Sequence, residues 1–340
     1  MSNLLFVSGL ALVLALVLPL AFKSLPRERW QVLACLPVAK EPDGRWRAVN
    51  LTFYGLFNAN AILAAVALFL ALMAAAGLTP LEALTFLAPL LALCLPAARL
   101  VAWLVERKPH TLTIGGSSFV GLMLAPPLAW LVGLPLVPVL AAMGVSYALG
   151  EGLGRLACIS FGCCYGRPLE QCGPLLQRLF RRHAFIFHGP SKKIAYASGL
   201  EGQPVLPLQA LSILILSATA LAGAYLFLEG HFTASLLLSI TTSQLWRAGS
   251  EVLRADYRGE GRVSAYQIMA LLAAAFYLAL AWFLPATPMS APRLAQGLAA
   301  LWHPGLLLCL LGLWSAILLY TGLSRVTTAS VSVAVLQNRI

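Results

Sequence analysis

Apolar residues fill this chain in long unbroken stretches, not in the one-sided stripes of a soluble helix or the alternation of a half-buried strand. Runs of about twenty recur at roughly 2–22, 51–76, 83–105, 114–131, 136–158, 206–228, 232–252, 264–285 and 301–323. The hydrocarbon core of a bilayer is crossed by a helix of about 20 such residues. The pattern therefore predicts an all-α integral membrane protein of about nine transmembrane helices. Pro126 and Pro127 make the run at 114–131 the weakest. Gly133 with Pro135, and Glu229 with Gly230, mark tight turns between neighbouring runs.

Composition sharpens this picture. Of 340 residues, 60% are hydrophobic and 10% charged, against about 25% charged in a typical soluble domain. Too little charge is present to coat a water-facing surface, so lipid must be the solvent for much of it. No Lys or Arg precedes the first run, and Lys23 follows it. A secretory signal has the opposite layout, so Met1 to Phe22 reads as a retained helix. No nucleic-acid partner is expected.

The net charge of +11 is distributed unevenly. Alternate connections 23–50, 106–113, 159–205, 253–263 and 324–340 hold nineteen Lys and Arg, while the opposite set holds Arg293 alone. The positive-inside rule then places the N-terminus outside and this basic side in the cytoplasm. A basic face that gathers anionic lipid head groups is the other reading of the same bias.

The residues that carry chemistry cluster at Gly150 to Arg167, GEGLGRLACISFGCCYGR. Five glycines there permit close backbone approach in a segment buried in protein. Arg155 follows Glu151 by four residues, the spacing of an ion pair on one helix face. An intramembrane Arg is costly and marks a functional site by default, and a guanidinium grips phosphate with two parallel hydrogen bonds. Arg247 and Glu251 repeat the spacing at the end of the seventh run. They form either a structural bridge or, joined with Arg155, a positive pocket suited to a phosphodiester.

Cys158, Cys163, Cys164 and Cys172 lie within fifteen residues of a chain with seven cysteines. They can be inert small hydrophobes or include a nucleophile activated by Arg155 or Arg167. A metal site lacks the usual CxxC pair, and a disulfide is the remaining option. The sequence assigns no metal and no cofactor. Segment 167–205, with Arg181-Arg182-His183 and Lys192-Lys193, is long enough for a small polar head.

Gly154-Arg155, Cys158, Phe161-Gly162-Cys163 and Gly166-Arg167 fall in register on the signature GR-x-GNF-x-N-G-E-x-x-GR. The chain thereby resembles the prolipoprotein diacylglyceryl transferases. Arg247 and Glu251 match a later Arg-x-x-x-Glu of that family, and Phe53-Tyr54-Gly55-Leu56 its early aromatic segment. Gly115-Gly116-Ser117-Ser118-Phe119-Val120-Gly121 is similar to its GG-x-SF-HGG stretch, and Pro207-Leu208-Gln209 to its Pro-x-Gln. The match implies a seven-helix core over 51–285 that includes the head. An extra helix with a basic connection fills 1–50, and another with a tail fills 286–340.

In the family, phosphatidylglycerol donates its diacylglyceryl group to a lipoprotein cysteine, releasing glycerol phosphate. The resemblance implies that Arg155 and Arg247 hold the lipid phosphate, that Glu251 orients Arg247, and that Tyr54 donates a hydrogen bond. It makes Cys163, in the place of the signature glutamate, a catalytic candidate nearer the pocket than Cys164. Gly115, Gly116, Glu151, Cys158, Gly162, Cys164, Gly166 and Arg167 become substrate-binding candidates. The acceptor is a protein thiol or a small molecule. A lipid-binding or lipid-translocating protein is the alternative, because the family's histidine base falls on Val120, which accepts no proton; His110 lies ten residues earlier. The resemblance implies a bacterial inner membrane, with the pocket facing away from the cytoplasm, the reverse of the charge bias.

Overall fold

The computed structural model describes residues 2–107, 113–256, 263–284 and 290–340. Twelve helices and five short strands are described. A long helix, α1 (Asn3–Ser24), opens the chain and leads into a hairpin of β1 (Val32–Lys40) and β2 (Trp46–Thr52). The bundle follows as α2 (Phe53–Ala75), α3 (Pro80–Glu106), α4 (Ile114–Leu131) and α5 (Leu136–Phe161). A head comprises α6 (Pro174–Phe180), β3 (Phe185–Ile186), α7 (Lys193–Ser198) and β4 (Pro204–Val205). Then come α8 (Leu208–Leu228), α9 (Phe232–Val252), α10 (Ala265–Phe283), the short α11 (Leu294–Ala300), α12 (Pro304–Gly322) and β5 (Leu323–Val331).

Local signals explain the helix boundaries. Capping boxes at Thr79/Glu82 and Ser264/Gln267 start α3 and α10, satisfying backbone donors that the first turn leaves free. Gly162, at φ +72°, closes α5 in the left-handed conformation.

Eight helices have the length and apolar composition to cross a bilayer: α1, α2, α3, α4, α5, α8, α10 and α12. The expected ninth span, α9, is a 21-residue helix but carries Ser239, Ser243, Gln244 and Arg247 turned inward and buried. It nonetheless crosses. β2 pairs antiparallel with β5, so residues 46–52 and 323–331 lie on one side. Between them run α2, α3, α4, α5, α8, α10 and α12, an odd number of crossings. Only α9 as an eighth restores the parity. Arg167 N–H donates to Leu253 O at 3.0 Å, which likewise puts the head and the end of α9 on that side. On the other, Asn3 Nδ2 donates to Leu228 O (3.1 Å) and Arg293 N–H to Ala75 O (2.7 Å).

The three-stranded sheet, in order β1-β2-β5, forms within 23–52 and 323–340, which the sequence reads only as a basic connection and a tail. Thr52 Oγ1 donates to Gly322 O at 2.8 Å, and Gly55 meets Gly322 so closely that a Cβ on Gly55 would fall 2.2 Å from the Gly322 Cα. Small residues let the α2 and α12 backbones touch there, as packing within lipid favours.

The main core fills the bundle around Phe69, Phe86, Leu140 and Phe227. A second core beneath the head joins Leu18 and Leu25 to Ile159, Phe187, Ile194 and Val205. Lys192 is wholly buried there. Its Nζ donates to Ser160 O (2.6 Å) and Leu25 O (3.2 Å), tying the head to the ends of α1 and α5. Burial lowers its amine to about 8, against the opposing pull of Glu28.

Candidate functional site

Tyr147, Glu151, Arg155 and Cys158 follow one another at intervals of four, four and three, so they form one stripe on α5. Glu151 is the hub. Its carboxylate accepts from Arg155 Nη2 at 2.9 Å, from Arg247 Nη2 and from the Tyr147 hydroxyl. Arg247 arrives from α9, whose Gln244, three residues earlier, donates to Tyr147 at 3.2 Å. Glu151 and Arg247 are 8% and 7% exposed. Two guanidiniums therefore share one carboxylate away from water, and the cluster carries one net positive charge. The Nε donors of both arginines are buried without an acceptor, in protein where such donors are normally satisfied.

Neighbouring elements wall this cluster. Gly115, at the start of α4, lies where a Cβ would be 3.1 Å from Arg247 Nη1 and 2.6 Å from the Tyr266 ring of α10. Tyr54, at the start of α2, packs against Phe161 with the rings tilted by 57° and their centroids 5.4 Å apart, and hydrogen-bonds the Asn58 side chain beside the cysteines. Gln209 Nε2 donates to Cys163 O at 2.9 Å, holding the turn after α5.

That turn gathers the thiols. The Sγ atoms of Cys158, Cys163 and Cys164 all lie within 4.8 Å of one another. Tyr165 to Arg167 then pair with residues 253–255 through Arg167 N–H to Leu253 O (3.0 Å) and Ala255 N–H to Tyr165 O (3.2 Å). This brings Arg254 into electrostatic contact with Cys164. Arg254 also grips Asp256 with two bonds of 2.7 and 2.8 Å and lies 3.4 Å from Glu251. Hydrogen bonds from Cys158 and Cys163, then the charges of Arg254 and Arg155, hold the Cys164 thiol well below its ordinary range. Hydrogen bonds to its two neighbours, with burial, push Cys163 up.

Several sequence expectations change here. Glu251, expected to orient Arg247, pairs with Arg254, and Glu151 holds Arg247 instead. Arg167 points out to the exterior, and its contribution is a backbone hydrogen bond. Gly116 faces Val101 of α3, with 2.3 Å between a would-be Cβ and that side chain, so it serves helix packing. Gly166 is set against Leu206 and bridges Arg254. Gly162 is the helix closure rather than a contact to the arginines. Of the two adjacent thiols, Cys164 is the one that interacts with Arg155, together with Cys158. Sequence reading missed Arg254, Tyr147 and Asn58. Tyr147 had a usable signal, since it precedes Glu151 by four residues. His110 lies outside the described residues.

Fold and site together define a polytopic membrane protein that buries paired guanidiniums at the end of its bundle on the side of the head. The chain belongs to the prolipoprotein diacylglyceryl transferase family, whose model matches residues 45–284, more than two thirds of its length. Comparison with curated proteins finds no match. Membership in this family makes the chain a membrane protein of a transferase type.

Proposed function

We propose that the protein transfers a diacylglyceryl group from phosphatidylglycerol, or a related anionic glycerophospholipid, to a thiol acceptor. The observation that carries this reading is the buried Arg155–Glu151–Arg247 cluster, with one net positive charge and two unsatisfied Nε donors. A phosphodiester carries the one negative charge that balances it. Arg155 and Arg247 hold the phosphate and stabilise the charge that grows on the leaving glycerol phosphate. Glu151 fixes both guanidiniums, and Tyr54 donates a hydrogen bond from the opposite wall. Cys163 does not act as a covalent relay: a thiol that displaces phosphate from the glyceryl carbon becomes a thioether, which is not displaced again.

Val120, standing where the family has its histidine, favours a second reading in which the protein binds or translocates the lipid without cleaving it. Incubation with labelled phosphatidylglycerol distinguishes the two, giving released glycerol phosphate in one case and movement of intact lipid in the other. Arg155→Lys keeps the charge but loses the planar fork, and release should fall by about 100-fold, the scale of one lost transition-state donor. Full activity in Arg155→Ala would overturn the phosphate assignment.

A further inference from the structure

We propose that Cys158, Cys163 and Cys164 form a three-thiolate site for a zinc-class divalent ion, whose fourth position receives the acceptor thiol. The inference rests on the transfer reading above and supplies the step that reading lacks, a means of activating the acceptor.

The geometry begins with the closure of α5. Cys163 N–H donates to Cys158 O at 3.0 Å and Gly162 N–H to Ile159 O at 3.3 Å, the double bond of a Schellman motif. That motif brings the side chains corresponding to Cys158 and Cys163 into contact, which two small hydrophobes would also satisfy. Cys164 is not explained this way. It adopts φ +55°, a left-handed conformation that a non-glycine residue rarely takes and that marks functional strain. This turn swings its Sγ back to the other two, although side chains adjacent in sequence ordinarily diverge. Zinc–sulfur bonds of about 2.3 Å place ligand sulfurs about 4 Å apart. Sulfurs already within 4.8 Å need to close by less than about 1 Å.

Charge and access agree. Three thiolates around a divalent ion leave one negative charge, and Arg155 and Arg254 both interact with this cluster. Cys158 and Cys163 are buried and Cys164 is only partly so, so Cys164 marks the side from which a fourth ligand would approach. Catalytic zinc sites have this form, with three protein ligands and one open position.

The chemistry fills the gap left by Val120. A thiol coordinated to zinc is deprotonated outright, so no histidine base is required. The acceptor thiol binds the ion and gives its proton to water. Its sulfur then attacks the glyceryl carbon that bears the phosphate ester. The S–C bond forms, the C–O bond breaks, and its electron pair stays on the phosphate oxygen. Glycerol phosphate leaves on Arg155 and Arg247, and the thioether, now neutral, is a weak ligand and departs.

Zinc content of the full-length protein purified in detergent tests the site, followed by chelation and titration with cobalt(II). One zinc per chain and a thiolate-to-cobalt absorption band are expected. Both should weaken at least tenfold in Cys158→Ser, Cys163→Ser and Cys164→Ser, and persist in Cys172→Ser, whose thiol lies outside the cluster. Wild-type protein that takes up neither metal at micromolar concentrations overturns the site, as does undiminished binding in folded serine variants. Metal binding without release of glycerol phosphate from phosphatidylglycerol refutes the transfer reading and leaves the site standing. Release that continues unchanged after the metal is stripped refutes the ion's part in activating the acceptor.

Discussion

Replacing Glu151 by Gln removes the carboxylate that Arg155 and Arg247 share, with little change of shape. Both guanidiniums stay buried, and the cluster passes from one net positive charge to two. Breaking a buried ion pair by deleting one partner costs about 3–5 kcal/mol. The lower figure applies here, because the amide oxygen still accepts one hydrogen bond. The same change favours a bound phosphate. An uncompensated unit charge at about 6 Å is worth about 3 kcal/mol at an effective dielectric constant near 20. That corresponds to roughly 100-fold tighter anion binding. The variant should therefore unfold at lower temperature than wild type in zwitterionic detergent, and glycerol phosphate should restore it by more than it stabilises wild type. Thermal unfolding at several glycerol phosphate concentrations measures both effects. Equal stability without phosphate, or equal stabilisation of the two proteins by it, would refute the charge assignment.

Three further outcomes are expected. Gly115→Ala should cut turnover at least tenfold while leaving the protein folded, because the added Cβ meets Arg247 Nη1 at 3.1 Å and the Tyr266 ring at 2.6 Å; lipid-turnover assays alongside thermal unfolding separate the two effects. Lys192 has an amine lowered to about 8 from 10.5. The unfolded chain therefore holds more protons between these values, and stability should rise across that window by up to about 3 kcal/mol. Denaturation across pH 7–10.5 should show this rise in wild type and lose it in Lys192→Met. Cys35 is exposed on β1, on the same side as the head. By charge bias it should resist an impermeant maleimide in intact spheroplasts and react after permeabilisation, whereas labelling of intact cells, absent in Cys35→Ser, would put the head outside.

The membrane spans were legible because bilayer thickness fixes their length whatever they pack against. α9 was legible as a run, yet its polar inward face lowers its apolarity below that of the other spans, and the β2–β5 pairing is what counts it as a crossing. Arg155 and Arg247 stood out because charge inside a bilayer is costly. The partner of Arg155 was legible from its spacing, whereas that of Arg247 was misread for a definite reason: spacing along one helix suggests Glu251, but packing of α5 on α9 supplies Glu151 instead. Arg254 sits just past the end of α9 and reads as one more basic loop residue until the loop after α5 pairs with it. The sheet was hidden because its strands lie in connections between the spans, and β2 finds its second partner, β5, far along the chain.

That last separation governs the order in which the molecule can be completed. Some 270 residues part Thr52 from its acceptor at Gly322. During synthesis β2 therefore waits with one edge unpaired while eight spans are threaded into the membrane. A bare strand edge invites pairing with other chains, and β5 covers that edge of β2 last. The basic side chains along this hairpin, Lys40, Arg45 and Arg47, are the kind of charge that keeps an open edge from joining its neighbours while it waits. Chains cut before residue 323 should insert normally yet associate through β2, making the terminal strand a latch on assembly as much as a piece of the fold.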